Sequence, residues 1–317
     1  MKFKKIISYI IYFLPEFIVK PLKKLYRKRQ LKHNRDRSMQ ITVSKEDIAS
    51  VLNRLDLDSD VFLHSSISNI GQIEFDIKSL CGLLLEKIDI NKNTLLASAL
   101  PFRGRTKDYL EKGIVFDVRK ARIEMGIINV YLSRHHDAKR SLHPTHSVIA
   151  IGPKADYYTT EHHLDITPFG IHSPYYKLIE TNAKILMFGV GPEYLTFVHV
   201  VEDIFGEHYP VNPYLKKVYI VEVIDNTGKV HFVQTRCHDS FKSIKRDIYN
   251  LLPYFIRYNA IERHKIGETE ISVLNAKTVV YAYYMALLDG VSFYGKFHLK
   301  DNFKKEINEQ LDLLNSI

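Results

Sequence analysis

The chain has 317 residues, 45% apolar and 26% charged, a composition typical of a globular protein rather than a disordered or fibrous one. Cys81 and Cys237 are its two cysteines, so a disulfide framework and a cysteine-based zinc site are excluded, and a reducing compartment is expected. The formal net charge is +9, but residues 1–38 carry +10 and the rest of the chain carries −1. A neutral body argues against a nucleic-acid-binding surface, because phosphate binding needs clustered Lys and Arg.

Residues 1–38 form a basic amphipathic leader, which we separate from a domain spanning residues 39–317. Its apolar run at residues 6–14 is too short to cross a bilayer, which needs about 20 apolar residues. Beyond it, Ile18, Leu22 and Leu25 recur at helical spacing among basic residues, a pattern typical of an interfacial helix. The leader therefore predicts peripheral attachment to the cytoplasmic face of a membrane. A partner-binding or dimer-packing helix and a disordered leader stay open as alternatives.

Short strands and helices alternate from residue 44 onward, which predicts an α/β fold. Ser44 is the expected N-cap of the first helix, and Asn226 to Gly228 mark the turn of a hairpin. We expect a single layered domain with a mixed sheet flanked by helices. The predicted strands are residues 60–64, 93–100, 146–151, 184–189, 217–224 and 229–235, and the predicted helices are 48–55, 75–88, 122–134, one after 174, 196–205, 240–258 and 276–288.

Several familiar sites are missing from the sequence. None of the 15 histidines falls into a zinc signature, so no metal is expected. The Gly189-Val-Gly191 segment lacks the third glycine and the acidic residue of a dinucleotide fingerprint. No Walker A sequence and no Gly-x-Ser-x-Gly elbow occurs, which disfavours P-loop phosphotransfer and common serine hydrolase chemistry.

Three motifs follow one another in loops expected at the carboxyl edge of the sheet, where α/β folds bind ligands. They are Arg140-Ser-Leu-His-Pro-Thr-His-Ser147, Pro168-Phe-Gly-Ile-His-Ser-Pro174 and Gly189-Val-Gly191 continued by Thr196-Phe-Val-His199-Val-Val-Glu202. In this order they resemble the aminoglycoside 3-N-acetyltransferase family, over about residues 44–290. The resemblance implies an acetyl-CoA-dependent N-acetyltransferase and allows for a homodimer.

The last motif places His199 and Glu202 one turn apart on one helix face. The resemblance implies that His199 is the general base, which removes a proton from the attacking amine. Glu202, or Glu193 on the preceding loop, is expected to orient the imidazole and to raise its pKa. The Thr196 hydroxyl is a candidate for stabilising the oxyanion. Because the motifs contain no cysteine, we expect direct transfer rather than a covalent acyl-enzyme.

The donor and the acceptor are expected to occupy neighbouring loops. Strand-end hydroxyls and basic side chains favour the phosphates and pantetheine arm of CoA. The candidate CoA-binding residues are Ser65, Ser66, Arg140, Ser141, His143 and Ser147. The candidate acceptor-binding residues are Phe102, Arg103, His172 and Glu193.

The sequence departs from the aminoglycoside-modifying members at places that matter for the acceptor. After Phe116-Asp117, Arg119-Lys120-Ala121 stand where Thr-Pro is usual. The candidate acids Glu193, Asp203, Glu207 and Glu111 are offset by nearby basic residues, so the acceptor site is expected to be mixed or basic. We therefore expect a small-molecule or lipid-linked amino sugar of surface-polysaccharide biosynthesis as acceptor. Aminoglycoside resistance and a non-catalytic CoA- or saccharide-binding membrane adaptor are the alternatives.

Overall fold

A seven-stranded mixed sheet forms the centre of the computed structural model, which describes residues 41–266 and 269–316. The predictions made for residues 1–38 lie outside the described residues. The strands are β1 Thr42–Val43, β2 Val61–Ser65, β3 Gln72–Ile73, β4 Leu95–Ser98, β5 Phe116–Asp117, β6 Lys139–Arg140, β7 Val148–Ile151, β8 Lys184–Phe188, β9 Tyr219–Ile224, β10 Val230–Thr235, β11 Ile261–Ile266, β12 Thr269–Asn275, β13 Val291–Ser292 and β14 Gly295–Lys296.

Helices begin where the sequence supplies caps. Ser44 accepts from the Asp47 backbone N–H while Asp47 reaches back, so the expected first N-cap is a full capping box. Ser173 caps the helix that starts at Pro174, a favoured first residue because it lacks the N–H that would otherwise be unpaired. The α-helices are α1 Lys45–Arg54, α2 Ile77–Ile88, α3 Thr106–Leu110, α4 Ile127–Leu132, α5 Ala155–Thr159, α6 Pro174–Glu180, α7 His199–Phe205, α8 Ser240–Ser243, α9 Leu252–Arg257, α10 Ala276–Leu288 and α11 Asp301–Ser316.

The order of the central sheet is β11-β12-β8-β2-β4-β7-β6. The middle strands β8, β2 and β4 run parallel, whereas β7 is antiparallel to β4 and β12 is antiparallel to β8. The carboxyl ends of the three parallel strands and the beginning of β7 therefore meet at one edge. The predicted α/β class and mixed sheet are confirmed.

The central strands are buried on both faces, as expected for strands covered by helices on either side. Phe62 and Ile185 point into a core formed with α6, α7 and α10. Val61 and Leu186, the neighbouring residues along the same strands, point into a second core formed with α1, α2 and α4. Apolar packing thus fixes both faces of the central sheet, and it holds in place the edge where β2, β4 and β8 end.

The predicted hairpin is also present, as β9 and β10 paired in register from Tyr219 with Thr235 to Ile224 with Val230. It does not join the central sheet. β5 extends it on the other side by parallel pairing with β9, which makes a separate three-stranded sheet.

Two predicted helices are wrong in extent. The one over 122–134 is reduced to α4, because the backbone N–H of Glu124 donates to Leu100 O at 2.9 Å and holds the preceding residues as a loop. The one over 240–258 breaks into α8, a 3-10 turn at Ile248–Asn250 and α9. The Asp247 side chain caps that turn, and Pro253 favours a new helix start.

Sequence reasoning did not predict β11, β12 or α11. The edge strand β11 carries Glu262, Arg263, His264 and Lys265 in succession, so it shows no apolar alternation. Charged residues are common on edge strands, where they discourage pairing with another chain.

Candidate active site

A cleft of about 800 Å³ opens at the edge where β2, β4 and β8 end. Ser65 and Ser66 from the end of β2 line one side, and Thr196 and His199 line another. The loop after β8 comes very close to the β2 loop. A side chain at Gly189, whose φ is +71°, would place its Cβ 2.6 Å from Ser66 O. Glycine is therefore required here to form the cleft wall.

His199 and Glu202 form a buried pair at the start of α7. The Nδ1 atom of His199 lies 3.0 Å from Oε2 of Glu202. Glu202 is 1% exposed and His199 is 9% exposed, with His199 in the cleft wall. The carboxylate fixes the imidazole through Nδ1 and leaves Nε2 without a partner among the described residues. This is the geometry expected of an oriented general base.

Arg246 places a positive charge next to the His199–Glu202 pair. Its guanidinium lies 3.6 Å from the same Glu202 oxygen, is only 13% exposed and donates from Nε to the Tyr294 hydroxyl at 2.9 Å. The pKa of His199 is lowered by burial and by Arg246, and the opposing effect of Glu202 is smaller. The contribution of the carboxylate therefore has the expected sign, but burial and Arg246 outweigh it and the net pKa is lowered. The imidazole is kept neutral and able to accept a proton near pH 7.

His238 lies beside the pair, with its ring centroid 4.7 Å from that of His199. Ligand atoms of His199, Glu202 and His238 fall within 4.8 Å of one another, as three metal ligands would. The Arg246 cation is placed against the shared carboxylate, and a second cation there would be repelled. The donor set therefore fits an ion-paired acid–base centre better than a metal site. A surface group with the same ligand types is formed by His135, His136 and Asp137.

Only part of the predicted CoA-binding set reaches the cleft. Ser65 and Ser66 line it, and the Ser65 hydroxyl contacts Asn129 Oδ1 at 3.4 Å. Ser141 and Ser147 are fully buried instead. The Ser141 hydroxyl pairs with Nδ1 of His162 at 2.9 Å, and the Ser147 hydroxyl donates to Ala99 O at 2.6 Å.

The side chains of His143 and Arg140 also form hydrogen bonds with backbone groups of the protein. His143 is fully buried and its Nδ1 accepts from the His146 backbone N–H at 3.1 Å. Arg140 donates to Ala99 O at 2.6 Å and to Ala121 O at 2.5 Å, and lines a neighbouring groove rather than the cleft. Ser141, His143 and Ser147 are thus too buried to reach a ligand in the cleft, contrary to the expectation, and Arg140 lines the neighbouring groove instead of the cleft.

The predicted acceptor-binding residues are divided in the same way. Glu193 lines the cleft, where its carboxylate accepts from the Tyr249 hydroxyl at 3.4 Å and lies apart from the His199–Glu202 contact. Phe102 stacks on a tyrosine of α3 at a centroid distance of 4.7 Å. Arg103 pairs with Glu124 at 2.7 Å, at the junction of the cleft and the groove. His172 pairs with Asp165 at 2.9 Å and is not part of the cleft lining.

Sequence reasoning assigned no role to four basic side chains that line the cleft, namely His64, His146, His238 and Arg246. His64 precedes the predicted serines, is 9% exposed and has an Nε2 atom without a partner among the described residues. Burial lowers its pKa to about 4. His146 belongs to the first motif and was quoted there without a role. His238 and Arg246 come from a distant segment, and nothing local in the sequence marks them as partners of His199.

A buried His–Glu pair that faces a cleft at the edge of an α/β sheet is typical of enzymes that use general-base chemistry. The sequence profile of the aminoglycoside 3-N-acetyltransferase family matches residues 62–287, so the chain belongs to this family. It is an acetyltransferase, with acetyl-CoA as the co-substrate.

Individual relatives agree with this assignment. Aminoglycoside N(3)-acetyltransferase III of Serratia marcescens is 29% identical over 192 residues, which cover 57% of this chain and 69% of the relative. The crystal structure of aminoglycoside acetyltransferase AAC(3)-Xa superposes with a TM-score of 0.63 at 20% identity, covering 80% of this chain and 95% of that one. AAC-IIIb, solved as a binary complex with CoASH, gives 0.61 at 21% identity, with 76% and 95% covered. The matches support the family, but not the expected surface-polysaccharide branch.

Among the described residues, no helix is both long enough and apolar enough to cross a membrane.

Proposed function

We propose that this enzyme transfers the acetyl group of acetyl-CoA to the nitrogen of an amino sugar, with His199 as the general base. The observation that carries the proposal is the buried 3.0 Å contact of His199 with Glu202 at the wall of the cleft. A non-catalytic adaptor has no need of such a pair, because two buried titratable groups are costly unless they are used or well compensated.

In the proposed reaction the amine nitrogen attacks the thioester carbonyl and His199 takes the proton that the amine loses. A carbon–nitrogen bond forms, the carbon–sulfur bond breaks, and the proton passes to the departing CoA thiolate. Glu202 stabilises the imidazolium that exists between these steps. The Thr196 hydroxyl lines the cleft and donates to Tyr194 O at 3.3 Å, a long bond that it can exchange for one to the oxyanion.

The named relatives favour an aminoglycoside as the acceptor, and they support this alternative better than a surface-polysaccharide sugar.

The charge of the cleft favours a second candidate. Two carboxylates line the cleft among the described residues: Glu124 is paired with Arg103, which leaves Glu193 for a polycation. Asp203 accepts a hydrogen bond from the Tyr214 hydroxyl and lies outside the cleft lining, as do Glu207 and Glu111. An amino sugar that carries phosphate, as in surface-polysaccharide building blocks, fits this balance better.

The test is thiol release from acetyl-CoA by the full chain, with kanamycin, gentamicin, glucosamine and UDP-glucosamine as acceptors. We expect turnover with at least one acceptor and its loss in His199→Ala, by about 100-fold or more. His208→Ala is the matched control, because His208 pairs with Glu306 at 2.7 Å on the surface, away from the cleft. Turnover that survives in His199→Ala contradicts the assigned base, and binding of acetyl-CoA without turnover of any acceptor favours the adaptor.

The leader is proposed to hold the enzyme at the cytoplasmic face of a membrane, on the strength of its polybasic amphipathic sequence alone. Deletion of residues 1–38 should then move the protein from the membrane fraction to the soluble fraction. A truncated chain that stays with the membrane contradicts this placement. Sedimentation of both forms would also test the proposed homodimer.

A further inference from the structure

A second groove, of about 830 Å³, adjoins the catalytic cleft. The two share Glu124, Met125 and Ile127 in their linings, at the beginning of α4. The groove runs between the loop after β5 and the outer side of α4. A ligand with its reacting group beside His199 can therefore extend into it across these shared residues.

The groove is strongly basic, although the body of the chain as a whole is neutral. Among the described residues, its lining contains one carboxylate, Glu124, against six cationic side chains. Like charges gathered in one concave surface focus a positive potential and attract anions. The cationic residues are Arg103, Arg119, Lys120, Arg122, Arg134 and Arg140.

Part of this charge is already used within the protein. Arg140 binds backbone carbonyl oxygens, Arg103 pairs with Glu124, and Arg119 forms a two-armed contact with Asp117 at 2.9 and 3.0 Å. Arg122 and Arg134 are different, because both are exposed and neither side chain has an ion pair or hydrogen bond among the described residues. They are two guanidinium groups on the wall of one groove with their donors free.

We infer that the groove binds the phosphate groups of a ligand whose reacting end lies in the catalytic cleft, with Arg122 and Arg134 as the principal contacts. Guanidinium groups bind phosphate through paired, charge-assisted hydrogen bonds. Two ligands of this enzyme could supply that chemistry, namely the 3′-phosphoadenosine diphosphate part of CoA and the diphosphate of a nucleotide-linked amino sugar. Arg119 and Lys120 lie in the same lining and add to its positive charge. The inference rests on the proposed function, since it assumes that the reacting end lies beside His199.

The test measures binding and not turnover, so its failure is distinguishable from a failure of the proposed function. Calorimetric dissociation constants of the full chain are measured for CoA, 3′-dephospho-CoA, UDP-glucosamine and glucosamine. Arg122→Gln/Arg134→Gln is compared with the wild type and with Lys296→Gln/Lys304→Gln. The control removes the same charge from two exposed residues outside both linings. Thermal unfolding of both variants checks that the fold is kept.

We expect the arginine variant to bind at least one phosphate-bearing ligand about tenfold more weakly, as for the loss of one charge-assisted hydrogen bond. The lysine variant should bind as the wild type does. Weaker binding of CoA assigns the groove to the donor, and weaker binding of UDP-glucosamine with unchanged glucosamine assigns it to the acceptor. The inference is overturned if the arginine variant binds all four ligands as the wild type does, or if the lysine variant loses as much.

Discussion

Replacing Glu202 by glutamine keeps the size of the side chain but leaves the buried Arg246 cation without a counter-charge. The Arg246 guanidinium and the Glu202 carboxylate are 3.6 Å apart, and the side chain of Glu202 is 0% exposed and that of Arg246 13% exposed. At an effective dielectric constant of about 20, their attraction is about 4.6 kcal/mol, and the loss on breaking a buried pair is typically about 3–5 kcal/mol. We therefore expect Glu202→Gln to lower the free energy of unfolding by about 3 kcal/mol.

The same substitution removes the carboxylate that lies 3.0 Å from His199. The pKa of His199, already lowered by burial and Arg246, should fall further, because the carboxylate that favours the charged imidazole is gone. A weaker base accepts the amine proton less readily, so kcat should fall at least tenfold even in protein that is fully folded.

Urea unfolding and kcat, measured on Glu202→Gln and on Glu202→Gln/Arg246→Met, separate the two effects. The double variant removes both charges, so it should recover at least half of the lost stability while kcat stays low. The reasoning is refuted if the single variant loses less than about 1 kcal/mol, or if the second substitution only adds to the loss.

Further predictions concern pH and backbone geometry. Arg246→Met should raise the pKa of His199 and move the acid limb of kcat/KM to higher pH, whereas Arg246→Lys, which keeps the charge, should move it much less. His64 has its pKa lowered from 6.5 to about 4, so the unfolded chain binds more protons in this range. Between pH 6.5 and about 4, stability should fall on its account by up to about 1.4 kcal/mol for each pH unit, and an unchanged slope of urea-derived stability in His64→Gln would contradict this. Gly189→Ala should lower the free energy of unfolding by about 1–3 kcal/mol and raise the KM for acetyl-CoA. The reason is that the φ of residue 189 is +71° and an added Cβ would clash with the backbone of the β2 loop. Gly82→Ala, in open space on a helix, is the control, and equal thermal midpoints would count against the steric argument.

The sequence was sufficient to predict those parts of the site whose residues are close together along the chain. His199 and Glu202 are three residues apart on one helix, so their contact follows from helical geometry. Ser65 and Ser66 follow a buried strand, and parallel strands bring their ends together at one edge. These residues could be placed in the cleft without knowing the rest of the fold.

The remainder depends on tertiary contacts that no spacing encodes. Arg246 reaches Glu202 from 44 positions away, and the lowered pKa of His199 depends on that contact and on burial. The sequence predicts CoA contacts for the first motif because its hydroxyl and imidazole groups are also suited to ligands. The hydroxyl groups of Ser141 and Ser147 instead form hydrogen bonds with buried groups of the protein itself. A sequence motif alone does not show whether a polar side chain binds a ligand or a buried protein group.

The ends of the central sheet limit how copies of this chain can associate. On one side β11 carries four charged or titratable residues in succession, and on the other β6 is only two residues long. Neither edge offers a long apolar row of free backbone groups on which a second sheet could continue. Edge-to-edge growth through the central sheet is therefore disfavoured, and the longer edge strand β10 of the second sheet is a separate surface with an exposed Phe232.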